Sequence, residues 1–557
     1  MPSENVGTIW AKMTKAYGAT HFFYVPVLAP GAMKAMTELG MTPVMTHGET
    51  AAAYMADGYA RVSRRPGLCG SQAIGSTNLA AGLRDAYMAR SPVIAFSGGP
   101  IAATRHRNLY QEVDDMPVFE RFTKFNAVVD DPARLPDLLR QAYRAATSGV
   151  TRPVHLEFAG FWGNVTAEAT DAAPEVDTRY ACAPAVRQCA DPDLVGQAVE
   201  HLMNAKRPVI LAGGGVKRSA AEGALRDFAR IAKLPVATSL NGMGVMGDAD
   251  PLSVGVVGDY ARDCANRTLA EADLVVVVGS ALGSLTTRNW ALPPAKTRII
   301  HIDIDAAEIG RNYPNSLPLV GDARLILDQL VQVARNLPDR STWLSRVAGF
   351  KSEWTNAAVH LETSAAAPIR PERLMRAISN AAPDDAIIVS DTGHAGAWCA
   401  RHLYLKETQT FIRAAGSLGW GFPAAIGAKC AAPNRPVMCF TGDGGFYFNL
   451  VELETARRYG VNLVIVVNNN SCMNQEAVLW DAGNAKQEKN WRFCDIDFVT
   501  VAESLGCTGL RVSRPDEIEP AIATALLATT PVVVDVRTDP AAIAPPSWSP
   551  DGKRSHE

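Results

Sequence analysis

Short runs of β-branched and aromatic residues alternate with longer alanine-rich stretches of helical period, and this happens in three successive blocks. In the first block the strand candidates are HFFYV (21–25), TPVMT (42–46), PGLCGS (66–71), SPVIAFSG (91–98) and PVHLEF (153–158). A polar, proline-bearing stretch from about Asn164 to Asp191 reads as a linker. The second block has RPVILAGGG (207–215), LPVATS (234–239), ADLVVVVGS (272–280) and TRIIHIDID (297–305), and ends near Leu337. A helical region and SAAAPIRPE (364–372) lead to the third, with AIIVSD (386–391), RPVMCFTGD (435–443), VNLVIVVNN (461–469) and PVVVDV (531–536). Runs such as LVVVV at 274–278 have the form of central parallel strands covered on both faces. The pattern predicts an α/β protein of three tandem, Rossmann-like, doubly wound parallel-sheet domains over 1–170, 190–340 and 365–540, with a tail over 541–557.

Length agrees: 557 residues, at about 150 per domain, give three or four domains. Lys+Arg 54 against Asp+Glu 57 leaves a net charge of −3, so no basic field points to nucleic acid. The ten cysteines form no CxxC pair, which argues against a zinc site or a redox dithiol and suits small buried hydrophobes in a reducing compartment. No apolar run is long enough to cross a bilayer, and MPSENVGTIWAKM lacks the form of a signal peptide. A cytoplasmic, soluble chain is the expectation.

The candidate chemistry is densest in CFTGDGGFYFNLVELETARRYGVNLVIVVNNN, 439–470. One apolar strand ends in Gly442-Asp443-Gly444-Gly445, a helix follows, and a second strand ends in Asn468-Asn469-Asn470. Ligands of open parallel sheets bind at strand carboxyl ends, so Asp443 and Asn469 should face one site. A carboxylate and an amide oxygen are hard donors suited to Mg²⁺, which usually keeps phosphate oxygens as further ligands. Gly444 and Gly445 would let backbone N–H groups approach a diphosphate at the helix start. Either half alone would be read as a turn or loop; the two together are hard to read so. Far upstream, THGETAAAYMADGYARVS (46–63) opens a largely apolar helix at Glu49. An acid there also simply favours the helix macrodipole.

The pair of motifs resembles the signature of thiamine diphosphate (ThDP) enzymes, and further segments extend the resemblance over nearly the whole chain. It implies Asp443, the Asn469 side chain and the Ser471 carbonyl as Mg²⁺ ligands, with Gly442, Cys472 and Met473 beside the cofactor. It implies that Glu49 hydrogen-bonds the aminopyrimidine and so activates the thiazolium carbon, the nucleophile of this chemistry. Gly48 departs from the histidine usual beside that glutamate; here His47 is displaced by one place. GSLGWGFPAAIGAK (416–429) resembles the segment whose fourth residue props the cofactor into a bent shape, which makes Leu418 that prop as well as a core leucine. SDTGHAGAWCA (390–400) would bring Gly393 and His394 to the diphosphate, although a lone histidine is usually structural. SQAIGSTNLAAGLRDA (71–86) resembles the family's thiazolium-side loop, with Asn78 in it and Ile74 and Ser76 departing from the pattern.

LYQEVDDMPVFERFTKFN (109–126) is similar to a segment of acetolactate synthases, which implies Gln111 in the active site; Lys124 in it reads as solvated. HIDIDAAEIGRN (301–312) and LAGGGVKRS (211–219) resemble the FAD-holding central domain of that group. Two further FAD elements are altered, to GVVGDYARD (255–263) and GSALGSLTTRNW (279–290), which leaves FAD, an ADP moiety (free or from CoA) or nothing as occupant. After Asn469 the group's Gln-Trp pair is replaced by NSCMNQEAVLWDAGNAKQEKNW, with Trp480 displaced. Cys472, Asn474, Gln475 and Glu476 would line a different substrate cavity.

The resemblance therefore implies a ThDP- and Mg²⁺-dependent carbon–carbon lyase or carboligase, acting on a 2-ketoacid, aldehyde or acyl-CoA and self-assembling as a homodimer or homotetramer. A 2-hydroxyacyl-CoA lyase or oxalyl-CoA decarboxylase is the first alternative, with the tail IAPPSWSPDGKRSHE (543–557) available to close over CoA or to be disordered. A benzaldehyde-lyase-like or sulfoacetaldehyde-type enzyme is the second. A non-catalytic nucleotide-binding scaffold is the third, opposed by the joint presence of Glu49, Asp443 and Asn469.

Overall fold

The computed structural model describes residues 3–334, 336–477, 484–550 and 552. Three six-stranded sheets carry the chain, and every neighbouring pair within them that joins named strands is parallel. The first runs, in spatial order, Thr42–Met45, His21–Tyr24, Gly67–Ser71, Val93–Gly99, Val154–Ala159, Asn126–Val129. The third runs Thr410–Arg413, Ile387–Ser390, Val437–Gly442, Val464–Asn469, Val532–Arg537, Thr508–Val512. Numbered in chain order within each sheet, both read 2-1-3-4-6-5. The middle sheet runs Ser253–Val256, Val236–Thr238, Pro208–Ala212, Leu274–Val278, Arg298–Asp303, Ser316–Val320, which reads 3-2-1-4-5-6. The outer domains thus share one topology and the middle one has another.

Parallel sheets need helices on both faces, and their ligands sit where the strand order reverses. In the third sheet that crevice lies beyond Ile387–Ser390 and Val437–Gly442, whose outgoing turns are Asp391–His394 and Asp443–Gly445. In the first it lies beyond His21–Tyr24 and Gly67–Ser71, so the turn Gln72–Gly75 faces it.

The outer domains are joined by one continuous core. Helix Glu49–Ser63 lies backbone to backbone on helix Gly421–Ala431: a Cβ on Gly58 would stand 2.1 Å from the Ala424 carbonyl oxygen, and one on Gly427 1.8 Å from that of Met55. Ala52, Met55, Tyr59, Ala424 and Ile426 share a single cluster there. Within the stretch read as a linker, Ala169–Thr170 pairs antiparallel with Glu4–Asn5. The tail is also docked as far as it is described. Ser547 takes the Ala261 N–H at 2.8 Å on its hydroxyl, and the Trp548 N–H reaches Asp263 at 3.0 Å. Seven of the ten cysteines are buried and all are free. Among the described residues no helix is long and apolar enough to cross a membrane.

Candidate functional site

The carboxyl ends of two adjacent parallel strands bring the diphosphate-type residues together. Gly442 is in register with Asn468, so the next residues, Asp443 and Asn469, leave the sheet side by side. Asp443 is buried, and its carboxylate bridges both turns: one oxygen accepts the Gly444 N–H at 2.7 Å, the other those of Asn470 and Cys472, each at 3.2 Å. Burial pushes its pKa up to about 6, and those backbone donors pull against the rise.

Asn469 has its amide oriented by a residue the sequence did not flag. Its Nδ2 donates to Asp535 at 2.7 Å, which turns Oδ1 toward the Ser471 N–H at 3.2 Å. Ser471 takes a left-handed backbone (φ 55°), and its carbonyl accepts the Phe493 N–H at 2.8 Å, leaving one lone pair. Among the described residues no group of three or more His, Cys, Asp or Glu side chains could hold a metal. The donor set is instead one carboxylate with two amide-type oxygens, which fits a hard cation completed by phosphate oxygens.

Space above these turns is kept by glycine. A Cβ on Gly444 would meet Met473 Sδ at 2.4 Å, and one on Gly445 would meet Thr441 Oγ1 at 2.8 Å and Asp391 at 3.1 Å. Gly393 lies on the same rim at φ +64°, 3.2 Å from Gln475 as measured from its ideal Cβ. His394 follows, its Nδ1 2.6 Å from Asn474 Oδ1, with its pKa lowered by burial. Asn474 in turn donates to the Ala542 carbonyl at 2.9 Å, so it props His394 rather than presenting a free amide. The Cys472 thiol is buried and pushed up to about 12, which keeps it protonated at neutral pH. Glu476 is exposed, and Trp480 lies outside the described residues.

Leu418 stands half-buried on the segment before helix Gly421–Ala431, between two carboxylates that each hold several backbone N–H groups. Asp391 takes those of Gly419 (3.1 Å) and Gly421 (3.0 Å), and Asp85 those of Ala415 (2.9 Å), Gly416 (3.1 Å) and Ser417 (2.9 Å).

Glu49 begins its helix as anticipated, half-buried behind the N-cap Gly48, and accepts Asn78 Nδ2 at 3.2 Å. A side chain at Gly75 would strike it, at 2.6 Å from the ideal Cβ. His47 turns away to the helix Glu452–Arg458, where its Nε2 lies 2.8 Å from Glu454. Gln111 has a left-handed backbone (φ 62°) and a buried Oε1 without a hydrogen-bond partner among the described residues. Lys124 is exposed, yet its ammonium is occupied by the carbonyls of Ser148 (2.5 Å) and Val150 (3.0 Å).

In the middle domain the strand-reversal crevice opens on a cavity lined by Arg90, Gly215, Arg218, Gly279, Asp303 and Gly321. Next to it is a pocket whose lining includes the basic side chains of Arg64, Lys217, Arg218 and Arg413. Burial lowers Lys217 to about 7 and Arg218 to about 10. The two altered loops close on each other: Asp259 N–H donates to Leu285 O at 2.9 Å, and a Cβ on Gly258 would stand 2.0 Å from that oxygen. Ser547 of the tail also bonds Arg288 at 2.5 Å and the Asp259 carbonyl at 2.6 Å.

Comparison with known proteins agrees with this arrangement in each domain. The family models for the thiamine pyrophosphate enzyme N-terminal TPP binding domain, central domain and C-terminal TPP binding domain match residues 4–118, 195–330 and 391–536. The three sheets and the paired strand-end turns thus define a thiamine pyrophosphate-dependent enzyme. A probable acetolactate synthase large subunit of Methanocaldococcus jannaschii is 32% identical over 531 residues, 92% of this chain and 88% of that one. An acetolactate synthase large subunit of Parasynechococcus marenigrum is 30% identical, over 88% of this chain and 80% of the relative. A putative thiamine pyrophosphate-containing protein of Bacillus subtilis is 30% identical, over 96% and 92%. The chain belongs to the thiamine pyrophosphate-dependent enzyme family, as an acetolactate synthase-like member.

Proposed function

We propose that the protein is a ThDP- and Mg²⁺-dependent carboligase or decarboxylase of small 2-ketoacids, and that Glu49 is the group that activates the cofactor. The observation that carries this reading is the Asp443–Asn469 pair, held rigidly at adjoining strand ends under a roof that glycine keeps open. Asp443, Asn469 Oδ1 and the Ser471 carbonyl would hold Mg²⁺. The N–H groups around Gly444 and Gly445, with Gly442, Gly393, His394, Cys472 and Met473, would surround the diphosphate. When bound, ThDP supplies a carbon nucleophile and an electron sink for carbon–carbon cleavage and formation.

The chain's own residues supply the rest. Glu49 holds a proton at the aminopyrimidine, and Asn78 orients its carboxyl through the 3.2 Å bond. Leu418 sets the bend of the bound cofactor, and Gln111 offers its unpartnered amide oxygen to the substrate. Ile74, Tyr110, Val113, Phe448 and Val451, apolar and exposed, flank the two half-sites, which supports coverage by a second copy in a homodimer or homotetramer. An active monomer would refute that assembly.

In the middle domain the pocket lined by basic side chains suits the phosphates of an adenine nucleotide, free or as part of CoA. Against the flavin end of FAD stand the two altered loops, which pack backbone to backbone at Gly258 and Leu285. A CoA-linked substrate is therefore the second reading. Offering the reconstituted protein pyruvate, other 2-ketoacids and a 2-hydroxyacyl-CoA, with products read by mass spectrometry, decides between them. Acetolactate from pyruvate supports a synthase. Aldehyde release from another donor, with pyruvate untouched, moves the lyase reading to first place.

A further inference from the structure

We propose that Asp85 is a positioning residue that fixes Leu418, reaching from the N-terminal domain into the C-terminal one; this rests on the reading of Leu418 as the prop of the bound cofactor. Asp85 lies on helix Ser76–Met88 and is fully buried. Its two oxygens take three consecutive backbone N–H groups, of Ala415, Gly416 and Ser417, at 2.9, 3.1 and 2.9 Å. Hydrogen bonds to an ionised acceptor are the strong kind, and three from one stretch of backbone leave that stretch a single conformation. Leu418 is the next residue.

The segment needs such a clamp. Gly416 and Gly419 flank Ser417 and Leu418, and Gly419 sits at φ +84°, so intrinsic stiffness there is low. Asp391 holds the far side, through Gly419 and Gly421, from within the C-terminal domain itself. Leu418 therefore hangs between two carboxylates, of which Asp85 is the one that comes from the other domain.

Asp85 is tied in turn to the helix of Glu49. Arg61, on helix Glu49–Ser63, donates Nη2 to Asp85 at 2.9 Å and Nη1 to the Arg413 carbonyl at 2.6 Å, and its guanidinium lies 4.4 Å from the centre of the Trp420 ring. Asp57, one turn before it, pairs with Arg61 and accepts the Trp420 indole N–H at 2.9 Å. Residues 57 and 61 are spaced for one helix face. The helix that presents Glu49 and the segment that presents Leu418 are one rigid piece, with Asp85 as its hub.

The test compares Asp85→Asn and Asp85→Glu, each alone and combined with Leu418→Ala, by calorimetric titration with ThDP at saturating Mg²⁺ and by the melting temperature of each cofactor-free protein. Asp85→Asn should weaken ThDP about tenfold, Asp85→Glu less, and neither should weaken it further once Leu418 is alanine. Equal losses in both backgrounds, or a lowered melting temperature with unchanged ThDP affinity, would overturn the proposal. Asp85→Glu keeps the charge and carries the same comparison where Asp85→Asn does not fold. A wild-type protein that took up no ThDP would instead overturn the reading of the site.

Discussion

Replacing Glu157 with glutamine should make the protein more stable at alkaline pH and leave it nearly unchanged under acid conditions. Glu157 is fully buried on the interior strand Val154–Ala159, and neither carboxyl oxygen has a hydrogen-bond partner among the described residues. Gly99 makes room for it, since a Cβ there would stand 2.1 Å from the carboxyl carbon. Burial, followed by the like charges of Asp114 and Asp115, raises its pKa from 4.5 to about 7, against a smaller pull from Arg105. The folded state thus binds this proton more tightly than the unfolded chain does. Stability is lost as pH rises from about 4.5 to 7, by about 3 kcal/mol once the group is fully ionised. For a domain of this size that is about 6–12 °C in melting temperature. Wild type and Glu157→Gln should be melted side by side at pH 5 and pH 8. The glutamine variant should gain on the wild type by that margin at pH 8 only. A difference that is the same at both pH values would refute the argument, because an amide and a carboxyl then experience the site alike.

Three other substitutions follow from the packing and the polar contacts. Gly58→Ala places a methyl against backbone, with nothing flexible to yield, so a loss above about 3 kcal/mol and a collapse of the melting temperature are expected; a shift of a degree or two would show that the helices can part. Asp535→Asn frees the Asn469 amide to turn over, so Mg²⁺ affinity should fall about tenfold in a metal titration with ThDP present. Unchanged affinity would mean that Asp535 does not orient it. Lys217→Met should weaken ADP binding, measured by calorimetry, by an order of magnitude; if ADP binds wild type and variant alike, that pocket is not its seat.

The parts of the fold that the amino-acid pattern revealed are those where burial is symmetrical. Interior strands such as Leu274–Val278 and Val464–Asn469 are apolar throughout and were legible directly. The strands the pattern passed over, Asn126–Val129, Ser253–Val256, Ser316–Val320, Thr410–Arg413 and Thr508–Val512, all lie at sheet edges. Edge strands have one paired side, so their sequences tolerate polar and small residues, such as Ser253 and Gly255, and lose the signal. Thr42–Met45 is the edge strand that was legible, its valine and methionine bracketed by a turn and the Glu49 helix.

The site divides in the same way. Asp443, Asn469 and Glu49 could be placed because each sits where a strand or helix changes, and a local motif records such a change. Asp85, Asp391 and Asp535 could not be given roles, although all three lie within the quoted segments. Their partners are backbone N–H groups and an amide in other elements, hundreds of residues away for Asp85, and no spacing rule encodes that. The docking of the tail was illegible for a related reason: its Ser547 and Trp548 find their partners on the middle domain, which composition does not show.

The account rests most heavily on Glu49 as the activating acid, and Glu49→Gln tests it directly. The variant and the wild type should be saturated with ThDP and Mg²⁺, their bound cofactor measured by calorimetry, and turnover followed on the best substrate found in the panel. ThDP should still bind, because the Asp443–Asn469 end of the site is untouched, while turnover should fall by at least a hundredfold, on the order expected for loss of a general acid–base group. Near-wild-type turnover in a variant with bound cofactor would contradict the account at its centre.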